Sequence, residues 1–153
     1  MNRFAKEITC ERLAGSGERF FTVEEANRAL VLVKRIVEDV VAGYVKLVDL
    51  QEIIDSAQSG GVEDHATRAQ EEIVQVAERL QICAQEMEDV GADLKDWSLG
   101  IVDFPCRIGG QRICLCWQLG EPRVEFYHEA DQGFAERQPI ETLLAGETLA
   151  SHK

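Results

Sequence analysis

Hydrophobic residues recur every three or four positions from residue 23 to residue 54. Val23, Ala26, Leu30, Val33, Val37, Val40, Tyr44, Leu47, Gln51 and Ile54 form one seam, in which Gln51 is the only polar member. That spacing predicts an amphipathic α-helix. Its start is marked by Thr22-Val23-Glu24-Glu25: the Thr22 hydroxyl can accept from the Glu25 amide while the Glu25 carboxylate accepts from the Thr22 amide, and Phe21 stands where a hydrophobic staple would. Ser59-Gly60-Gly61 ends the run. A second seam, Ala66, Ala69, Ile73, Val76, Leu80, Cys83, Met87 and Val90, predicts a helix over residues 63–90, with Gly91 as its C-terminal stop. Two seams joined by a glycine pair predict a long antiparallel helical hairpin.

The first helix has the broader apolar face. Ala29, Ile36, Gly43 and Leu50 flank its seam on one side and Val41 and Val48 on the other, whereas the second helix is flanked on one side by His65, Glu72, Arg79 and Glu86. A face that wide is expected to meet its hairpin partner and something more, either the C-terminal sheet or a second copy of the chain, and a four-helix bundle made by dimerisation is the simplest solution.

After Gly91 the period falls to two. Alternation over residues 100–107, 111–118 and 123–129, interrupted by Gly109-Gly110 and Gly120-Glu121, predicts a three-stranded antiparallel β-meander with two-residue turns. The fold class is therefore α+β: the helical hairpin followed by the meander. Residues 22–140 are expected to form one domain, with residues 22–91 as hairpin and 92–140 as meander and loop. Residues 1–21 read as a flexible leader and residues 141–153 as a tail.

If both turns hold two residues, Val102, Trp117 and Val124 share one row of the inner face, followed by Phe104, Leu115 and Phe126, then by Cys106, Ile113 and His128. The outer face receives Asp103, Cys116 and Glu125. A slip of one residue in either turn would exchange the faces.

At this point the chain resembles a known family. FTVEEAN at 21–27, the two-helix middle, GIVDFP at 100–105, LCW at 115–117, GEP at 120–122, HE at 128–129, GF at 133–134 and RQP at 137–139 occur in the order found in the DUF2203 family of small prokaryotic proteins. The resemblance covers residues 20–140 and implies no particular activity. Asp103, Cys116, Trp117, Gly120, Glu121, His128, Glu129, Gly133, Phe134 and Arg137 match its pattern, whereas Tyr127 stands where the family pattern has tryptophan, and Cys106 and Cys114 lie outside it.

Composition narrows the partners. The chain of 153 residues has a formal net charge of -12, and residues 22–91 alone hold 15 acids against 6 bases. Such a hairpin repels phosphate backbones and anionic lipid surfaces, so neither nucleic acid nor membrane is an expected partner. No run approaches the length of a membrane-spanning helix, the first twenty residues lack the apolar core of a signal peptide, and five cysteines without a repeating framework fit reduced thiols; together these give a cytoplasmic reading.

The candidate chemistry lies in the meander. Asp103, Cys116, Glu125, His128, Glu129 and Arg137 are the candidate functional residues, with a divalent cation as the cofactor their carboxylates could hold. Cys106, Cys114, Cys116 and His128 have the elements of a zinc site, but the register above puts Cys106 and His128 on the face opposite Cys114 and Cys116, which argues against it. Arg137 could clamp an anionic ligand, or tether its loop to Asp103, Glu125 or Glu129. HEADQ begins like a zinc-protease motif and lacks the second histidine. Two readings stay open. One is a non-enzymatic cytoplasmic interaction or regulatory protein that self-associates through its hairpin or takes a protein partner. The other is a metal- or small-ligand-binding protein, enzymatic in one version, that uses the carboxylates, His128 and Arg137.

Overall fold

A computed structural model describes residues 19–60 and 63–143. Helix α1 spans Val23–Gly60 and α2 spans Glu63–Val90; strands β1 (Asp93–Asp96), β2 (Ile101–Ile108), β3 (Gln111–Gln118) and β4 (Phe126–Glu129) follow, and a short 3-10 turn at Phe134–Glu136 leads into β5 (Gln138–Pro139). The capping box forms as the sequence requires, with Thr22 N donating to Glu25 Oε1 and Glu25 N to Thr22 Oγ1, both at 3.0 Å. Gly91 closes α2 in a left-handed conformation (φ 95°), its amide donating to the Met87 carbonyl.

The fold is α+β, a helical hairpin followed by an antiparallel sheet, with five strands in the order β1-β2-β3-β4-β5 rather than three. The two additions had no alternation to betray them. Asp93-Leu94-Lys95-Asp96 is mostly charged and carries a register shift between Leu94 and Asp96, and β5 is two residues ending in a proline, a residue tolerated at a sheet edge. Residues 1–18 and 144–153 lie outside the described residues. Arg19, Phe20 and Phe21, expected within the leader, belong to the packed body: Phe21 is buried edge-on against Phe104 at 5.2 Å, and its amide donates to the Pro105 carbonyl at 2.7 Å.

The inner face of the sheet packs on the hairpin. Val102, Phe104, Cys106, Ile113, Leu115, Trp117 and Tyr127 join Leu30, Val33 and Val37 of α1 and Leu80, Cys83 and Met87 of α2 in one core. The apolar face of α1 changes character along its length. A Cβ on Gly43 would stand 2.8 Å from Leu80 Cδ2, so Ile36, Gly43 and Leu50 mark the flank that meets α2. Beyond the sheet, Leu50 and Ile54 continue a second small core with Ala69. The opposite flank meets the sheet only as far as Val37 and Val41, against which the Gly100 turn rests. Tyr44, Val45 and Val48, farther along that flank, are 39%, 51% and 44% exposed. At about 1.5 Å per residue α1 is on the order of 57 Å long, roughly twice an eight-residue strand, so the hairpin outruns the sheet.

Register follows expectation on one side of β3 and departs from it on the other. β2 and β3 pair as Ile108↔Gln111, Phe104↔Leu115 and Val102↔Trp117. β3 and β4 pair as Leu115↔Tyr127 and Cys114↔His128, one residue away from the expected Leu115–Phe126 and Ile113–His128. The cause lies in residues 119–125, which do not form a two-residue hairpin. The Glu121 carbonyl accepts from Trp117 Nε1 (2.9 Å) and its carboxylate from the Gln118 amide (2.9 Å). Val124 is held by α1: its amide donates to Asn27 Oδ1 at 2.8 Å and its carbonyl accepts from Asn27 Nδ2 at 3.4 Å. The helix thereby takes up the hydrogen bonds of Val124, and β4 begins at Phe126 with its faces exchanged: Tyr127 points into the core, Phe126 and His128 away from it.

Candidate functional site: an aspartate, a cysteine and a histidine on the outer sheet face

The exchanged faces bring together residues that the two-residue turn would have kept apart. Asp103 on β2 and His128 on β4 flank the middle strand β3, whose outward residues between them are Cys114 and Cys116. His128 Nε2 lies 3.0 Å from Asp103 Oδ2, the two side chains 3% and 6% exposed. A carboxylate and an imidazole two strands apart meet only if the intervening side chains are small, and two cysteines meet that condition. His128 therefore shares the face of Asp103, contrary to the sequence-based expectation, because residues 119–125 shift the β3–β4 register by one residue from that of a tight turn.

The other ring nitrogen of His128 sets the proton arrangement. Nδ1 lies 2.8 Å from the carbonyl oxygen of Glu129, which can only accept, so Nδ1 carries a hydrogen. Nε2 then faces a carboxylate oxygen, and a proton between them makes the ring an imidazolium. The hydrogen bond to Asp103 accordingly raises the His128 pKa above its ordinary value, against the opposing effect of burial. Asp103 Oδ1 is buried and has no hydrogen-bond partner.

The thiols are held in their protonated form. Burial first, and then the Asp103 charge, push Cys114 and Cys116 up to about 12. With both nitrogens of His128 engaged and both thiols protonated, the cluster as it stands offers neither a reactive thiolate nor a free base. It does offer donors of three kinds: one oxygen of Asp103, Sγ of Cys114 and one nitrogen of His128 lie within 4.8 Å of one another.

The remaining candidates are placed elsewhere. Glu125 is exposed, its carbonyl accepts from the Ile140 amide at 2.8 Å, and its expected place beside Cys116 is taken by Phe126. The Glu129 carboxylate accepts from Gln111 Nε2 at 2.7 Å, and only its carbonyl reaches His128. Arg137 tethers its loop, but to Glu121 instead of Asp103, Glu125 or Glu129. Its two terminal nitrogens donate to Glu121 Oε1 and Oε2 at 3.1 and 2.9 Å, and its guanidinium lies 4.3 Å from the Phe126 ring and 4.0 Å from that of Phe134. Sequence reasoning gave Asn27 no role, placed Glu121 only in a tight turn and in the family pattern, and set Cys114 aside. Asn27 left no periodic signal, since a polar residue beside a helix seam is ordinary.

No helix among the described residues is long and apolar enough to cross a membrane. A family model described as "Uncharacterized conserved protein (DUF2203)" matches residues 19–140. No curated protein and no solved structure matches the chain.

Proposed function

We propose, for a chain that belongs to the DUF2203 family of uncharacterised conserved proteins, that it is an interaction protein which pairs with a second copy of itself through the distal half of the hairpin. The observation that carries this reading is the uncovered flank of α1. Val41, Tyr44, Val45 and Val48 continue the surface that the sheet buries at Val37, and past the Gly100 turn nothing among the described residues covers it. An apolar strip on a projecting helix is what a symmetric pair would bury, because each α1 presents the same strip to the other and four helices then enclose it. The acidic charge of the hairpin disfavours nucleic acid and lipid as the covering partner. The engaged state of His128 and the protonated thiols suit a role in binding rather than covalent catalysis, and the four free cysteines among the described residues fit a cytoplasmic setting.

Sedimentation velocity of the full chain over a wide concentration range tests the proposal. The wild-type chain is expected to sediment as a dimer. Tyr44→Glu and Val48→Glu, both at exposed positions, should sediment as monomers of unchanged helicity. A wild-type chain that remains monomeric at every concentration would remove the reading.

A further inference from the structure

We infer that Asp103, Cys114 and His128 form a binding site for a zinc-class divalent ion, a function independent of hairpin pairing. Three observations converge. The donors are an oxygen, a sulfur and a nitrogen within 4.8 Å of one another, a mixed set suited to zinc and too soft for calcium or magnesium. Asp103 is 4% exposed, and its Oδ1 is buried without a partner beside these donors. A buried carboxylate oxygen left unmatched is costly, and a cation satisfies it.

The third observation is the second contact of His128. A metal-bound histidine ordinarily donates its other ring N–H to a carbonyl or carboxylate, which fixes the tautomer and turns the free nitrogen toward the metal. The Glu129 carbonyl, 2.8 Å from Nδ1, does this here and leaves Nε2 as the ligand atom. The surroundings are already rigid, because β2, β3 and β4 each supply one ligand and their registers are fixed by backbone ladders.

Charge balance agrees. The metal-free cluster carries an imidazolium, a carboxylate and a neutral thiol. On binding, the ion displaces one proton from His128 Nε2 and one from Cys114 Sγ, both of which pass to solvent. A doubly charged ion with one carboxylate, one thiolate and a neutral imidazole is again neutral overall, so the buried face gains no net charge. Three protein ligands leave a fourth position of a tetrahedral ion for water or a small anion.

Cys116 lies on the same face beside Asp103, but its sulfur is not in the donor set, so its loss should leave the thiolate–metal contact in place.

The test is metal loading of the untagged full-length protein after chelation and dialysis. Zinc uptake is followed by elemental analysis and competition with a chromophoric chelator, and cobalt is used as the spectroscopic probe. One equivalent of zinc per chain is expected, with cobalt giving the visible bands of a tetrahedral site and a thiolate-to-metal charge-transfer band. Cys114→Ser should abolish the charge-transfer band and loosen zinc by at least about tenfold, and His128→Gln should loosen it similarly, while Cys116→Ala keeps the charge-transfer band. Cys114 is partly exposed and the serine nearly isosteric, so this variant stays informative should His128→Gln fail to fold. Substoichiometric zinc in the wild-type protein, or a cobalt spectrum unchanged by Cys114→Ser, overturns the assignment.

Discussion

The Asp103–His128 contact gives the metal-free protein a stability that should depend on pH in a definite direction. Its hydrogen bond to Asp103 raises the folded-state pKa of His128 above the ordinary 6.5, so the folded state holds the proton more tightly than the unfolded chain does. The pair therefore contributes fully below the unfolded value of about 6.5, and its contribution is lost as pH rises through the higher folded-state value. His128→Ala leaves the Asp103 carboxylate, 4% exposed, without its imidazole partner. Breaking a buried pair from one side costs about 3–5 kcal/mol. Asp103→Asn is milder, because its amide N–H can donate to the now neutral Nε2; it should cost about 1–2 kcal/mol and abolish the pair's pH dependence. Urea unfolding in chelator, followed by fluorescence of the fully buried Trp117, reads all three. As pH rises above about 6.5 the wild type should lose its margin over Asp103→Asn, while His128→Ala is weak throughout. A His128→Ala cost below about 1 kcal/mol, or a margin over Asp103→Asn that grows with pH, would refute the reasoning.

Three further outcomes follow from the packing. Asn27→Ala removes both hydrogen bonds to Val124 and should cost about 1–3 kcal/mol, with faster amide exchange at Val124 as its local signature. Gly100→Ala combines a positive φ of 73° with a Cβ placed 2.8 Å from Val37 Cγ1 and 2.9 Å from Leu119 Cβ. It should cost about 2–4 kcal/mol in thermal or urea unfolding, well above Gly109→Ala, whose position has a positive φ but open space. Arg137→Lys should recover little of the roughly 1–2 kcal/mol lost in Arg137→Ala, because an ammonium can neither bridge both oxygens of Glu121 nor stack between Phe126 and Phe134; melting temperatures of the two variants decide this.

What was legible in the sequence was whatever depended on nearby residues. The hairpin was readable because its seams repeat within each helix and its first cap is closed by Thr22 and Glu25, three residues apart. The β2–β3 register was readable because Gly109 and Gly110 both take the positive φ of a two-residue turn, 60° and 82°. The β3–β4 register was not, although Gly120-Glu121 resembles another such turn. There the deciding contact comes from Asn27, 97 residues earlier, whose amide engages Val124. The connection that Asn27 and Glu121 hold off a two-residue turn sets which face every residue of β4 joins. It turns Tyr127 inward and His128 outward, so that the Asp103–Cys114–His128 arrangement exists because of it. The separation of His128 from Cys114 and Cys116 that counted against zinc disappears with that register, while Cys106 stays on the inner face beside Ile113. The same dependence links helix and site: Asn27→Ala, by freeing Val124, should loosen the β3–β4 connection that keeps His128 on the outer face, without touching any member of the donor set.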